Sequence, residues 1–204
     1  MTENTKTYSK ILSTNAIAKA AVLGALSFLL MFIQIPVFFA PGFMKIDFSD
    51  VPALLGGFAM GPAVGVLIEL IKNILNLIKG ATFGVGELSN FIVGSSLVFV
   101  SASMYKKERT MKGAIKGMIF GVLVMTTIAT LSNTFLIFPM YAKAMGVELQ
   151  SFVDMMQGIN GLVNSYPTLM LFAIAPFNIF KGALEVVAVR ILYKKVSPIL
   201  KKKN

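Results

Sequence analysis

Long apolar runs dominate the pattern of hydrophobic and polar positions along this chain, and short segments rich in glycine, proline or charged residues separate them. Most of these runs approach the roughly 20 residues that a helix needs to cross the hydrocarbon layer of a membrane. The pattern therefore predicts an all-α membrane protein, a bundle of six transmembrane helices. The predicted helices cover residues 11–33, 51–60, 63–79, 87–105, 113–138 and 176–195.

Prolines set several of these boundaries, because a proline inside a helix removes one backbone hydrogen bond. Pro139 is predicted to end the fifth helix. A last helix that began at Pro167 would carry Pro176 in its interior, so we place its start at Pro176. In the loop before it, residues 149–156 have the apolar spacing of a short interfacial helix.

The second predicted helix is short for a membrane crossing, which leaves a tilted or partly buried segment open. Either Ser49 or Asp50 can cap its first turn, and Pro52 suits a position in that turn. Gly61-Pro62 separates it from the third helix.

Composition supports a membrane setting. Hydrophobic residues make up 56% of the 204 positions and charged residues only 14%. A water-soluble monomeric domain with this composition would tend to aggregate. Six crossings use nearly the whole chain. We therefore predict one membrane-embedded domain over residues 1–204, with no separate soluble domain.

The net charge of +10 comes from basic residues clustered where helices end. Nucleic-acid binding is not favoured, because these residues form no stripe on a soluble, aromatic-bearing surface. Positively charged loops stay on the cytoplasmic side of a membrane. The basic termini and the basic loop at 106–116 therefore predict that both termini are cytoplasmic and that the number of crossings is even.

Histidine and cysteine are absent from the chain, which excludes thiol catalysis, histidine bases and the usual zinc and haem sites. No phosphate-binding G-x-x-x-x-G-K-[ST] loop is present, so ATP-driven work would need partner proteins. A membrane enzyme acting on lipid is a competing hypothesis. However, the acids in the predicted helices, Glu69 and Glu185, each have a lysine neighbour and form no acidic cluster. We predict no catalytic residue and no metal site.

Two polar residues near the start of the last predicted helix are candidates for ligand binding. A lysine near the bilayer centre costs about 2.5–3.5 kcal/mol, so Lys181 is expected to be kept for a function. Asn178 lies three positions earlier and shares its helix face. Both could hydrogen-bond a polar ligand in a solvated cavity. Alternatively, Lys181 pairs with Glu185 or reaches the membrane surface.

Other polar side chains fall near the predicted outer ends of helices. Asn133, near the end of the fifth helix, could face Asn178 in a site or make an interhelical hydrogen bond without a ligand. Glu87 and Asn90 open the fourth helix and are further candidates, although Glu87 also suits a helix N-terminus for electrostatic reasons alone.

The third predicted helix carries four polar residues largely on one side. Glu69 and Lys72 could form an internal ion pair. Asn73 and Asn76 could bridge to neighbouring helices or contact a ligand.

Small residues recur at every fourth position in the first and fifth helices, where they allow another helix to approach closely. In the fifth helix, Gly113, Gly117 and Gly121 favour packing within the chain. In the first helix, internal packing and a partner subunit are both open. The two candidate strips there are Ala20 with Gly24 and Ala21 with Ala25.

Four stretches carry a more specific signal: residues 45–55 (KIDFSDVPALL), 72–76 (KNILN), 86–91 (GELSNF) and 176–182 (PFNIFKG). Together they resemble the riboflavin-specific (RibU-type) S components of energy-coupling factor (ECF) vitamin transporters. The likeness covers nearly the whole chain. The DFSDVP and PFNIFKG motifs, taken together, are its most specific part.

The resemblance implies a six-helix subunit of the bacterial plasma membrane that binds riboflavin as its substrate and uses no catalytic cofactor. Its pocket would open outward beneath the loop after the first helix. Small residues of that helix, best matched by Ala21 and Ala25, would dock on a transmembrane coupling subunit of the EcfT type, which two ATPase subunits accompany. The ligand-contacting residues that the resemblance implies are Asn133, Asn178, Lys181 and the loop wall Met44, Lys45, Asp47 and Phe48.

The chemistry of the candidate residues suits this ligand. Riboflavin has a flat apolar ring system, a uracil-like edge of alternating donors and acceptors, and a polyhydroxyl tail. A few amides and one lysine in an apolar pocket match those groups, with Lys181 as a hydrogen-bond donor. The same inventory would also suit another vitamin, such as thiamine, which stays an alternative.

Overall fold

A computed structural model describes residues 14–40, 44–79 and 82–201, with side chains described as far as residue 195. Nine α-helices, one 3-10 turn (Leu77–Lys79), two π-helical turns and one two-stranded sheet make up the regular structure of these residues. The helices are α1 (Thr14–Leu30), α2 (Asp50–Met60), α3 (Pro62–Asn76), α4 (Val85–Lys107), α5 (Met111–Ser132), α6 (Phe138–Met145), α7 (Leu149–Gln157), α8 (Tyr166–Leu169) and α9 (Ala175–Lys201). In the sheet, β1 (Ile35–Pro36) pairs antiparallel with β2 (Lys45–Ile46).

Three continuous helical segments are long and apolar enough to cross a membrane: Val85–Lys107, Met111–Met145 and Tyr166–Lys195. Apolar side chains such as Phe99 and Ile191 remain exposed on their outer faces. That exposure is what a lipid solvent favours. The protein is therefore a helical membrane protein, and α1 and α2 are shorter apolar helices beside the long segments.

Small residues bring α5 close to α4. A Cβ atom added at Gly117 would lie 2.8 Å from the Ser101 carbonyl oxygen. Gly113 and Gly121 are buried along the same helix. The prediction that the fifth-helix glycines serve packing within the chain is confirmed, because a larger side chain would push the two helices apart.

On α1, one of the two strips of small residues is buried within the chain and the other is exposed. Ala20 and Gly24 are buried, and a Cβ atom at Gly24 would lie 2.6 Å from Ile71 Cγ2 on α3. The chain itself therefore covers Ala20 and Gly24, and of the two candidate strips only the other stays open to a partner subunit. Ala21 and Ala25 are exposed.

The fifth predicted helix does not end at Pro139. A π-helical turn, Asn133–Ile137, joins α5 to α6, and the helix continues to Met145. In a π-helical turn each carbonyl accepts from the N–H five residues later. Pro139, five residues after Thr134, has no N–H, so the Thr134 carbonyl lacks a backbone donor. Tyr166 Oη donates to this oxygen at 2.8 Å and also to the backbone carbonyl oxygen of Asn133 at 3.2 Å.

The predicted start of the last helix at Pro176 is also wrong. The helix begins ten positions earlier, at Tyr166, and runs through a second π-helical turn, Met170–Ile174, into α9. Pro176 has no N–H to donate to the carbonyls one turn earlier, in the π-helical turn that includes Phe172. Asn160 Nδ2 donates to the Phe172 carbonyl oxygen at 3.1 Å. Prolines are tolerated inside these two helices because the side chains of Tyr166 and Asn160 donate to backbone carbonyls near them.

The last helix also ends later than predicted, at Lys201 and not at residue 195. The remaining predicted boundaries lie within three residues of the observed ones. The start of the first predicted helix, residues 11–13, lies outside the described residues. Ser49 makes no side-chain cap on α2, and its hydroxyl instead accepts a hydrogen bond from Lys72 Nζ at 3.0 Å. The predicted short helix at 149–156 is present as α7, and Phe152, Val153 and Met156 are buried on its inner face.

Removing the Tyr166 hydroxyl tests the account of the Pro139 kink. We expect Tyr166→Phe to lower the free energy of unfolding by about 1–2 kcal/mol, because it leaves a backbone carbonyl unsatisfied in an apolar setting. Thr127→Val is a control, since the Thr127 hydroxyl donates at 3.0 Å to the Leu123 carbonyl within its own helix. Denaturant unfolding in detergent micelles measures both variants. Equal, negligible losses would contradict this role of Tyr166.

Candidate ligand-binding site

A cavity of about 220 Å³ lies among the loop after α1, the start of α4 and the two π-helical turns. Its apolar lining includes Met31, Ile137, Phe138 and Phe177. Polar groups project into the same space, a combination typical of small-molecule sites.

Eight of the nine predicted ligand-binding residues line this cavity. Phe48 does not: it packs against the main apolar core, to which α1 to α5 and α9 contribute. The eight lining residues are Met44, Lys45, Asp47, Glu87, Asn90, Asn133, Asn178 and Lys181.

Asn133 and Asn178 are held by matching hydrogen bonds to their own helices. Asn133 Nδ2 donates to the Ala129 carbonyl at 2.7 Å, and Asn178 Nδ2 donates to the Ile174 carbonyl at 2.8 Å. Because a carbonyl can only accept, these bonds fix which end of each amide is the nitrogen. Each Oδ1 is thereby left as an acceptor, and each Nδ2 keeps a second hydrogen.

The two asparagines sit at the two π-helical turns. Asn133 is the first residue of one turn, and Ile174, the acceptor for Asn178, is the last residue of the other. The two turns contact each other. A π-helical turn shifts the register of the helix after it, and such turns are frequent at functional sites. The fold thus brings together two amides that lie far apart in the sequence.

Glu87 is built into the cavity wall. Its Oε1 accepts a hydrogen bond from Asn76 Nδ2 at 2.8 Å, and its Oε2 accepts one from the Thr82 hydroxyl. Both oxygens are therefore engaged by the protein, so Glu87 orders the wall and Asn90, one turn on, presents an amide beside it.

Lys181 lines the cavity and is also ion-paired. Its Nζ lies 2.7 Å from Asp50 Oδ2 and 3.7 Å from Glu185 Oε1. Pairing with Glu185 was the expected alternative to a ligand role, but the closer partner is Asp50 on α2. An ammonium group has three donors, so pairing with Asp50 leaves hydrogens for a ligand.

Lys181 belongs to a buried cluster of two lysines and three acids. Lys72 contacts Asp50 directly and lies 2.8 Å from Glu69 Oε2, so the predicted Glu69–Lys72 pair is present. The other members are Lys181 and Glu185, and all five side chains are at most 9% exposed. Charges buried this deeply are stabilised by pairing with opposite charges, because they are removed from water. The cluster ties α2, α3 and α9 together.

Sequence reasoning did not single out Thr82 and Tyr141, which also line the cavity. Asn76, which the sequence left open between a ligand contact and a bridge to another helix, lines the cavity and donates to Glu87. Asp50 was interpreted as a possible helix cap. Its position in the DFSDVP motif, three residues after Asp47, is the signal that could have identified it.

Known proteins similar to this chain fall in one family. Residues 15–193 match the family described as "ECF transporter, substrate-specific component". Riboflavin transporter RibU of Staphylococcus aureus (strain TCH60) is 32% identical over 182 residues, which cover 89% of this chain and 90% of that protein. Riboflavin transporter FmnP of Bacillus subtilis (strain 168) is 31% identical, with 87% and 90% covered.

A solved structure shares the fold as well. It is described as the S component of a bacterial ECF transporter, and it aligns with a TM-score of 0.71 at 30% sequence identity. The alignment covers 92% of this chain and 98% of that one. Since both the family match and the relatives span almost the whole chain, the protein belongs to the substrate-specific (S) components of ECF transporters.

Proposed function

We propose that this S component binds riboflavin in the cavity and presents it for import by an ATP-driven ECF transporter. The observation that carries the proposal is the cavity itself, in which Asn133, Asn178 and Lys181 converge beside apolar walls. The relatives named as riboflavin transporters support the choice of vitamin. As a member of this family, the chain is a transporter subunit and not an enzyme.

The polar groups match riboflavin in kind. The uracil-like edge of the flavin ring alternates carbonyl acceptors with an N–H donor, and an amide oxygen and an amide nitrogen can serve both. Asn133 and Asn178 each offer such a pair. Lys181 can donate to a ring carbonyl or a ribityl hydroxyl. Asp47, whose Oδ1 accepts from the Ser49 backbone N–H at 2.8 Å, can use Oδ2 to accept from a hydroxyl of the tail.

The proposed topology has six crossings of the bacterial plasma membrane and both termini in the cytoplasm. The three long segments supply three crossings, and α1, α2 and α3, which pack against one another, would supply the others. The basic residues around the α4–α5 connection support a position inside the cell under the positive-inside rule. The cavity, at the opposite ends of α4 and α5, would then open to the outside.

We further propose that the partners are a transmembrane coupling subunit of the EcfT type and two ATPase subunits. ATP hydrolysis has to come from other chains, since this sequence contains no phosphate-binding loop of the Walker type. On α1, Ala21 and Ala25 are exposed small residues that would let a partner helix approach closely.

Riboflavin titration of the purified protein in detergent tests the proposed substrate. We expect saturable quenching of flavin fluorescence at one ligand per chain, because aromatic and apolar walls enclose the ring system. Thiamine and pyridoxine, added in excess, should not compete. Folded protein that quenches no flavin, or that is stabilised against heat by thiamine and not by riboflavin, would overturn the assignment.

A further inference from the structure

We propose that Asp50 is a positioning residue that holds the Lys181 ammonium group at the cavity wall, where it can donate to the ligand. This inference rests on the proposed function and adds a residue to it. Asp50 does not line the cavity, so it would act through Lys181 and without touching riboflavin.

The geometry places Asp50 between two lysines from different helices. Its side chain is completely buried in the first turn of α2. Oδ2 lies 2.7 Å from Lys181 Nζ on α9, and Oδ1 contacts Lys72 Nζ on α3. Lys72 therefore fixes the carboxylate from one side, and the carboxylate fixes Lys181 from the other.

Lys181 has an alternative ion-pair partner if the Asp50 charge is removed. Glu185 lies one turn further along α9, with Oε1 3.7 Å from Lys181 Nζ, and it does not line the cavity. Neither Glu185 oxygen accepts a hydrogen bond from a donor among the described residues, and the same is true of Asp50 Oδ2. Lys181 is therefore held by charge, and the shorter separation favours Asp50. A lysine side chain is long and flexible, so Lys181 would turn towards Glu185 and away from the cavity. Asp50 decides between these two positions.

The test is a double-mutant cycle read out by riboflavin affinity in detergent. We expect Asp50→Asn to raise the dissociation constant by about ten- to hundredfold, because the ligand loses a charged donor. In a Lys181→Met background the same change should alter affinity by less than about twofold, since the residue through which Asp50 acts is gone. A role limited to stability would give the same loss in both backgrounds.

The chain provides a matched control in the same cluster. Glu69→Gln also replaces a completely buried carboxylate with an amide, but Glu69 contacts Lys72 and not Lys181. We expect its affinity to change by less than about threefold, even though the protein loses stability. Thermal unfolding and monodisperse elution in detergent establish that each variant is folded.

If Asp50→Asn does not fold, Asp50→Glu replaces it, because the longer acid keeps the charge while moving it relative to Lys181. It too should weaken binding only when Lys181 is present. Equal affinities of wild type and the Asp50 variant overturn the inference and leave the riboflavin assignment intact. A folded wild-type protein that binds no riboflavin overturns both.

Discussion

Replacing Lys72 with methionine is expected to lower the free energy of unfolding by about 3–5 kcal/mol, the usual loss when one partner of a buried ion pair is removed. Lys72 is completely buried and contacts Asp50, Glu69 and Ser49. Without it, Glu69 keeps no cation within 4 Å among the described ion pairs, and Asp50 keeps only Lys181. The variant thus leaves a carboxylate in a setting that cannot solvate it.

The same substitution at Lys116 is the matched control. Lys116 pairs with Glu108 at 3.9 Å, but the two side chains are 69% and 47% exposed. Such surface pairs contribute about 0–1 kcal/mol. Denaturant unfolding of both variants in the same detergent measures the difference. If Lys72→Met costs no more than Lys116→Met, the buried cluster does not stabilise the arrangement of α2, α3 and α9.

Asn178→Leu is expected to weaken riboflavin binding by about ten- to hundredfold, because a polar edge of the ligand would be buried without a partner. The replacement has a similar size, so it changes hydrogen bonding more than volume. Asn133→Leu should have a comparable effect, and the two together should remove measurable binding. Fluorescence titration of the purified variants gives the dissociation constants.

Asn73→Leu provides the control for loss of an amide. Asn73 is buried and its Nδ2 donates at 2.8 Å to the Glu69 carbonyl four residues earlier, the same local bond that Asn178 makes. It does not line the cavity. Affinity should therefore be unchanged in Asn73→Leu. Parallel losses in Asn73→Leu and Asn178→Leu would mean that the intrahelical bond, and not contact with the ligand, explains the effect.

Hydropathy and helix punctuation predicted most helix boundaries within a few residues, because both depend on local sequence. Predictions from these two signals were wrong where a proline lies inside a helix. Pro139 and Pro176 are acceptable only because Tyr166 and Asn160 donate to backbone carbonyls near them. Neither donor can be assigned from the sequence around its proline, so the longer helices were not predictable.

The positions of the small residues on α1 show a second kind of limit. In water, polar residues mark the outer face of a helix, but in a membrane both faces are apolar. The sequence therefore left two strips open, and only the packing of α1 against α3 separates buried Ala20 and Gly24 from exposed Ala21 and Ala25.

The sequence by itself determined that this is a helical membrane protein and singled out amides and a lysine as candidates for ligand binding, because polar side chains in apolar helices are costly wherever they stand. It also carried the motifs of the family. The tertiary structure decided which of these groups meet. Asp50 pairs with Lys181, and Asn133 lines the same cavity as Asn178, because helices distant in the chain pack side by side. The attraction between such groups depends on separations that sequence spacing does not encode.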